Sequence, residues 1–185
     1  MHRQGLTPLA NVALFMVVTY ALHLIWHEFR PVRAEFPLRD IGEWLAQQVF
    51  NQSYWFNKNI LGLNVTIEPP VTMWFNDGAA YIWVNRGCSG LKQMYHMLFL
   101  FLVFPGPWKQ KLWFIPTGML IMFYVNVLRI IALSIVVIWR PEFWNLTHNY
   151  IFRYLFYAIM FALWVWWVER YGGFFRKKGV ARAEG

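Results

Sequence analysis

The sequence predicts an α-helical integral membrane protein, a bundle of four transmembrane helices with a small extracytoplasmic β-hairpin and an amphipathic helix. Of the 185 residues, 58% are hydrophobic and only 14% are charged. A soluble domain of this size would expose too much apolar surface. Four apolar segments are also long enough to span a bilayer, which takes about 20 helical residues.

These spans are predicted over residues 6–27, 88–104, 112–139 and 148–170, within a single membrane domain covering residues 1–172. The first segment has no charged residue through position 26, and the second ends at the sequence "PGP". Arg129 is the one charge in the third segment, and Arg153 lies near the start of the fourth. Such uncharged runs are typical of membrane-spanning helices.

The positions of lysine and arginine predict the orientation of the spans. Arg3, the turn 105–111 and the tail 173–185 are short and basic, and four spans place all three on one side. Because short basic loops remain in the cytoplasm, the protein is expected in the cytoplasmic (inner) membrane with both termini on the cytoplasmic side. The insert 28–87 then lies outside. This topology accounts for the net charge of +8 better than a nucleic-acid partner does.

The insert itself has two predicted elements. Between residues 38 and 50, apolar side chains recur at helical spacing, which predicts an amphipathic helix on the membrane surface: Ile41, Trp44, Leu45 and Val49. Alternating apolar residues on both sides of the turn sequence "NDG" predict a β-hairpin over residues 71–85.

Cys88 is the only cysteine, so the chain has no internal disulfide, no CxxC motif and no Cys/His set for structural zinc. A thiol oxidoreductase of the quinone-coupled kind is excluded, because it would need a pair of cysteines. No metal or cofactor is predicted. The thiol is therefore either an inert buried group or a reactive one.

Three chemically active side chains are predicted near the outer membrane face. Cys88 begins the second span and His148 begins the fourth, both at the outer boundary. Arg129 lies ten residues before Trp139 at the outer end of the third span, or about 15 Å along a helix. The topology thus predicts that a thiol, a guanidinium and an imidazole converge at one site.

Such a set suits nucleophilic catalysis by a thiolate. Three features are expected to favour the thiolate of Cys88. They are the helix N-terminus at which it lies, the cation Lys92 one turn away, and His148 as a base that accepts the proton. A charge inside hydrocarbon costs about 2.5–3.5 kcal/mol, so Arg129 is expected to have a task such as stabilising an oxyanion. Further residues are predicted to support the site or bind substrate: Ser89, Lys92, Asn126 and Arg153.

The motifs "GCSGLKQ", "NVLR" and "LTHNY", in that order, resemble the exosortase/archaeosortase family of membrane cysteine transpeptidases. They carry Cys88, then Asn126 and Arg129, then His148, and the resemblance covers about residues 85–170. It implies that Cys88, Arg129 and His148 are catalytic. It also implies a substrate with a C-terminal sorting tail, made of a short motif, a hydrophobic helix and a basic end. The family cleaves at the motif and passes the new carboxyl end to an acceptor. Many members have more spans than the four predicted here.

Three alternatives remain open from the sequence. His96, two turns along the helix from Cys88, is a second candidate for the base. A non-catalytic membrane scaffold would use the hairpin as its binding surface. A b-haem protein would draw on His23 and His27, which are spaced i,i+4, but their place near the interface disfavours axial ligation.

Overall fold

The computed structural model is mostly helical and describes residues 6–28, 37–104 and 106–171, with side chains from residue 11 onward. Arg3, the start of the insert at residues 29–36 and the basic tail 173–185 lie outside the described residues. The predictions that concern them therefore remain predictions.

Five helices of more than ten residues are described. They are α1 (Leu6–Glu28), α2 (Leu38–Asn59), α3 (Leu91–Val103), α4 (Trp108–Trp139) and α5 (Phe152–Tyr171). Two helical stretches of the described residues are long and apolar enough to cross a bilayer, Trp108–Trp139 and Pro141–Tyr171, the second being α5 with the turns before it. With 13 residues, α3 is about 20 Å long, which is shorter than the hydrocarbon layer of about 30 Å.

Helices α3 and α4 pack closely because α4 has a glycine where they meet. A Cβ atom at Gly118 would lie 1.8 Å from the terminal methyl of Met97, a fully buried residue of α3. Further along the same helices, the rings of Phe101, Phe114 and Trp167 join α3, α4 and α5, with centroids 4.8 to 5.7 Å apart. These ring contacts bury aromatic surface between the three helices and so contribute to the hydrophobic core.

Helix α2 extends beyond the amphipathic helix predicted over residues 38–50 and ends at Asn59. Leu45 and Val49 are buried in the core, whereas Ile41 and Trp44 are exposed. The four apolar residues therefore do not form a single membrane-facing stripe. Leu45 and Val49 pack against the core, and Ile41 and Trp44 lie on the surface.

A three-stranded antiparallel sheet follows α2, in the order β1 (Val65–Glu68), β2 (Thr72–Phe75) and β3 (Ala80–Trp83). Strands β2 and β3 are joined by the turn Asn76–Gly78, in the stretch where the sequence predicts a hairpin. Strand β1, which the hairpin prediction does not include, pairs with the other edge of β2. Alternation places Met73 and Phe75 on the buried face of the sheet.

One buried hydrogen bond joins the insert to α4. The Asn57 side chain of α2 is fully buried and donates from Nδ2 to Ser134 Oγ at 2.8 Å. Ser134 in turn donates to the Ile130 carbonyl oxygen of its own helix. The insert is thereby fixed to the same helix that carries Arg129.

We expect Ser134→Ala to destabilise the protein by about 1–3 kcal/mol, because it leaves the Asn57 amide buried without its oxygen acceptor. Thermal unfolding in detergent measures the effect. Ser53→Ala is the matched control, since Ser53 is equally buried but bonds only the Val49 carbonyl oxygen of its own helix. Equal melting temperatures for the two variants would contradict the role given to the Asn57–Ser134 bond.

Candidate active site

Cys88 ends a short 3₁₀ turn, Arg86–Cys88, between β3 and α3. The Asn85 side chain accepts a hydrogen bond from the Gly87 N–H at 2.8 Å, and the Cys88 N–H donates to the Asn85 carbonyl oxygen at 2.8 Å. This local pairing is the turn chemistry that asparagine favours. It holds the thiol, half-buried, just before the helix.

The next two residues connect this turn to α3. Ser89 is buried, and its Oγ accepts a hydrogen bond from the Leu91 N–H at 3.2 Å, which satisfies a free donor at the helix start. Gly90 has φ of +80°, a left-handed conformation that glycine adopts without strain. Ser89 therefore supports the position of Cys88 through the backbone.

Asn126 joins α4 to the cysteine turn. Its side chain is fully buried, and Nδ2 donates to the Cys88 carbonyl oxygen at 2.6 Å. A Cβ atom on Gly90 would lie 3.2 Å from the same nitrogen, so the close approach also depends on glycine at position 90. Asn126 thus positions the cysteine backbone and makes no direct bond to Arg129.

Arg129 lies one helical turn further along α4 and contacts His148. Arg129 Nη2 donates to His148 Nε2 at 3.0 Å, and His148 Nδ1 lies 3.0 Å from Asn149 Oδ1. The Asn149 amide oxygen can only accept, so Nδ1 of a neutral His148 carries the hydrogen. The Arg129 guanidinium can only donate, so Nε2 carries the lone pair. Trp144 stacks on the imidazole, with ring centroids 5.4 Å apart.

The backbone around His148 is a π-helical turn, Thr147–Ile151, which leads into α5. Turns of this kind are rare and often occur at functional sites.

Burial and charge act in opposite directions on the thiol, which lies outside α3. Burial raises the pKa of Cys88 above its ordinary value, while the Arg129 guanidinium and a backbone hydrogen bond with Asn85 lower it by less. The sequence predicted features that favour the thiolate but not the burial that opposes them. The residue pattern does not reveal how deeply the turn is buried.

Lys92 and Arg153 line the site without a described bond to Cys88. Lys92 Nζ lies 3.2 Å from His23 Nδ1, so this side chain reaches α1. The Lys92 carbonyl oxygen accepts a hydrogen bond from His96 Nδ1 at 2.7 Å. The Arg129 guanidinium is a cation that lowers the pKa of Cys88. The influence of Lys92 on the thiol stays a prediction.

A cavity of about 560 Å³ connects these side chains. Its wall is formed by α1, the cysteine turn, α3, α4, the π-helical turn and α5, and among the described residues it includes no Asp or Glu. Its cationic and imidazole side chains include Lys92, His96, Arg129, His148 and Arg153. Gly87 also lines it, next to the cysteine. Among the described residues, no group of three or more His, Cys, Asp or Glu side chains is arranged to hold a metal ion.

The structure therefore joins Asn126 to Cys88 and Arg129 to His148, and the Arg129 guanidinium is near enough to Cys88 to act on its pKa. Among the described contacts none joins Cys88 to His148, and Lys92 and Arg153 lie on the cavity wall. Sequence reasoning missed Trp144 and Asn149, the partners of His148. The i,i+4 spacing of Trp144 and His148 was a usable signal for the first. It also missed the contact between His23 and Lys92, because no sequence pattern relates α1 to α3.

A sequence profile described as "Transmembrane exosortase (Exosortase_EpsH)" matches residues 8–166. The chain belongs to the transmembrane exosortase family. The match covers most of the chain and confirms the resemblance inferred from the three motifs. It also identifies this exosortase as a membrane protein, in agreement with its apolar helices. No curated protein and no solved structure matches the chain.

The electrostatics of the site predict the pH dependence of thiol alkylation. Because burial raises the pKa of Cys88, we expect iodoacetamide to label the exosortase with a midpoint above that of free cysteine, and labelling to slow as pH falls. Arg129→Gln removes a charge that lowers this pKa, so its midpoint should move higher still. Labelling is specific, since Cys88 is the only cysteine. Lys109→Gln, which removes a positive charge at the start of α4 and outside the cavity wall, is the control and should leave the midpoint in place. A midpoint below that of free cysteine would contradict the assignment.

The glycine at position 90 gives a second test. Gly90→Ala should weaken the Asn126–Cys88 bond and alter the rate of Cys88 alkylation, because its Cβ meets the Asn126 side chain. Gly62→Ala is a matched control: Gly62 also has a positive φ, of +64°, but has no neighbouring atom within 4 Å of an added Cβ. Both variants carry the backbone strain of alanine at positive φ, so only Gly90→Ala should change the alkylation rate. Identical rates would show that the close approach of Asn126 does not matter.

Proposed function

We propose that this exosortase is a cysteine transpeptidase that cleaves the C-terminal sorting tail of exported proteins at the outer face of the inner membrane. The observation that carries the proposal is the contact between Arg129 and His148 beside the cysteine turn. Three residues from separate parts of the chain form the set expected for acyl transfer through a thioester. The family supports a transpeptidase role.

Acylation begins when the scissile carbonyl group enters the cavity near Cys88. The carbonyl oxygen accepts hydrogen bonds from the N–H groups of Arg129, and these bonds stabilise the negative charge that develops on the oxygen. His148 Nε2, released from Arg129, accepts the thiol proton and returns it to the leaving amine. The raised pKa of Cys88 makes this proton acceptor necessary, because the free thiol is mostly protonated at neutral pH. The product is a thioester between Cys88 and the new carboxyl end of the substrate.

A second cavity, of about 630 Å³, adjoins the other side of the cysteine turn. It lies between α2 and the end of the sheet, and its wall includes Glu43, Ala46, Trp83, Arg86 and Gly87. Gly87 lines both cavities, so a chain lying across this residue passes next to the thiol. We assign the second cavity to the segment of the substrate that precedes its apolar tail helix.

The proposed topology has four spans: α1, α3 and the two membrane-capable helical stretches. Both termini lie in the cytoplasm. The sheet and α2 then face the exterior together with Cys88. The tail helix of the substrate lies in the bilayer beside α3 to α5, and its basic end remains in the cytoplasm. The acceptor is an amine, a hydroxyl group or water from the outer side. No nucleic acid takes part.

We expect Cys88→Ala to abolish cleavage, and Arg129→Gln to slow it by about 10²- to 10³-fold, the loss typical of one oxyanion donor. The substrate is an exported reporter ending in a sorting tail from a protein of the same genome, and the readout is the ratio of precursor to cleaved reporter. Wild-type protein should also carry a Cys88 adduct that hydroxylamine removes, detected by intact-protein mass spectrometry.

Lys109→Gln is the control for a lost positive charge, since Lys109 lies at the start of α4, away from the cavity wall. Membrane insertion of each variant is checked by its yield in the membrane fraction. Full cleavage by the Cys88→Ala protein would refute the enzyme and leave a scaffold role.

A further inference from the structure

His96 is a buried imidazole in the wall of the main cavity, and the acylation step does not use it. It is 2% exposed and lies five residues after Leu91 in α3, about 7.5 Å along the helix axis. It lines the same cavity as Arg129 and His148. The cavity therefore extends from the cysteine turn to a second histidine deeper in the protein.

The hydrogen bonds of His96 fix its tautomer. Nδ1 lies 2.7 Å from the Lys92 carbonyl oxygen, which can only accept, so the hydrogen of a neutral ring is on Nδ1. The lone pair is then on Nε2, and this atom is buried without a hydrogen-bond partner among the described residues. A buried polar atom without a partner calls for an explanation, and a bound donor group is one that the cavity provides.

His148 is placed differently. Both of its ring nitrogens have partners, Arg129 on Nε2 and Asn149 on Nδ1. Transfer needs two deprotonations, first of the thiol and then of the acceptor, and the two histidines offer two lone pairs in one cavity. The lone pair of His148 is held beside Arg129, whereas that of His96 is open to a group that occupies the cavity.

We propose that His96 is the base for the acceptor, and that the acceptor is a primary amine or hydroxyl compound bound in the inner part of the cavity. This inference rests on the proposed function. The acceptor donates its N–H or O–H to His96 Nε2. As His96 takes that proton, the acceptor nitrogen or oxygen bonds to the thioester carbon, and the C–S bond breaks with its electron pair going to Cys88 Sγ. The proton held by His96 then restores the thiol, directly or through water in the cavity, so atoms and charge balance.

Lys92 serves this step as a positioning residue. Its carbonyl oxygen holds the His96 tautomer, and its Nζ contacts His23 on α1. The rings of His23 and His96 lie 6.4 Å apart, so α1 forms part of the wall beside this base. The acceptor end of the cavity is thus built from α1 and α3, and the acylation end from the cysteine turn, α4 and the turns before α5.

The test separates acylation from release. Wild-type and His96→Asn exosortase in membranes receive the tailed reporter, with glycinamide as the acceptor probe. Asparagine retains an N–H for the Lys92 carbonyl oxygen but lacks the Nε2 lone pair. We expect the first turnover, seen as cleaved tail, to proceed at the wild-type rate. Release of the reporter from Cys88 should slow by about 10²- to 10⁴-fold, the usual contribution of a general base.

Two observations make the outcome specific. Hydroxylamine, which is a strong neutral nucleophile, should release the accumulated thioester from His96→Asn as fast as from wild-type. Tyr95→Phe, a change next to His96 in sequence, should transfer the reporter to glycinamide normally. His96→Gln serves as a second variant if the asparagine protein inserts poorly, and cleaved tail from either variant shows that it is folded.

Wild-type release by both His96 variants would overturn the proposal. So would equal slowing of acylation and release, which would indicate a structural role for His96. Failure of the proposed function has a different signature, namely the absence of any hydroxylamine-sensitive adduct on Cys88 in the wild-type protein, and it would overturn both proposals.

Discussion

The site depends on a buried cation that has no carboxylate partner among the described residues. Arg129 is 9% exposed, in the apolar helix α4, and its described hydrogen bond goes to a neutral acceptor, His148 Nε2. Its Nε atom is buried and has no hydrogen-bond partner in the part of the chain that the structure describes. An arginine in such surroundings costs free energy that a nearby negative charge would offset. The two negative charges that the proposed reaction generates, on the thiolate and on the oxyanion, both arise beside it.

Helix α4 organises the remaining parts around that cation. Asn126, one turn before Arg129, holds the Cys88 carbonyl oxygen, and Ser134, about one turn after it, is bonded to Asn57 of α2. Both polar contacts are on side chains that are fully buried. The insert and the cysteine turn are thus fixed to the same rigid element as the guanidinium, which is how the geometry of a site made from distant segments is maintained.

The sequence predicts the membrane class and the motif set because both depend on local patterns. Uncharged runs indicate apolar helices, and "GCSGLKQ", "NVLR" and "LTHNY" carry the resemblance to the family that the profile match confirms. The extent of α2 and strand β1 escaped prediction, because their residues are placed by packing and lack a clear period of their own. The π-helical turn at Thr147–Ile151 has no sequence signature, yet it sets the orientation of His148. The burial that raises the pKa of Cys88 could not be predicted for a related reason, since burial is a property of the assembled fold.

The raised pKa of the Cys88 thiol bears on the order of events. Without substrate, the protonated thiol is a poor nucleophile, so it resists alkylation and oxidation. Arg129 meanwhile is bonded to His148, and the lone pair of that base is occupied. In the proposed mechanism, the substrate carbonyl oxygen draws the Arg129 guanidinium toward itself. This movement frees the Nε2 lone pair of His148 and places positive charge next to the Cys88 sulfur. Substrate binding and activation of the nucleophile are then one event, because both depend on the position of a single side chain.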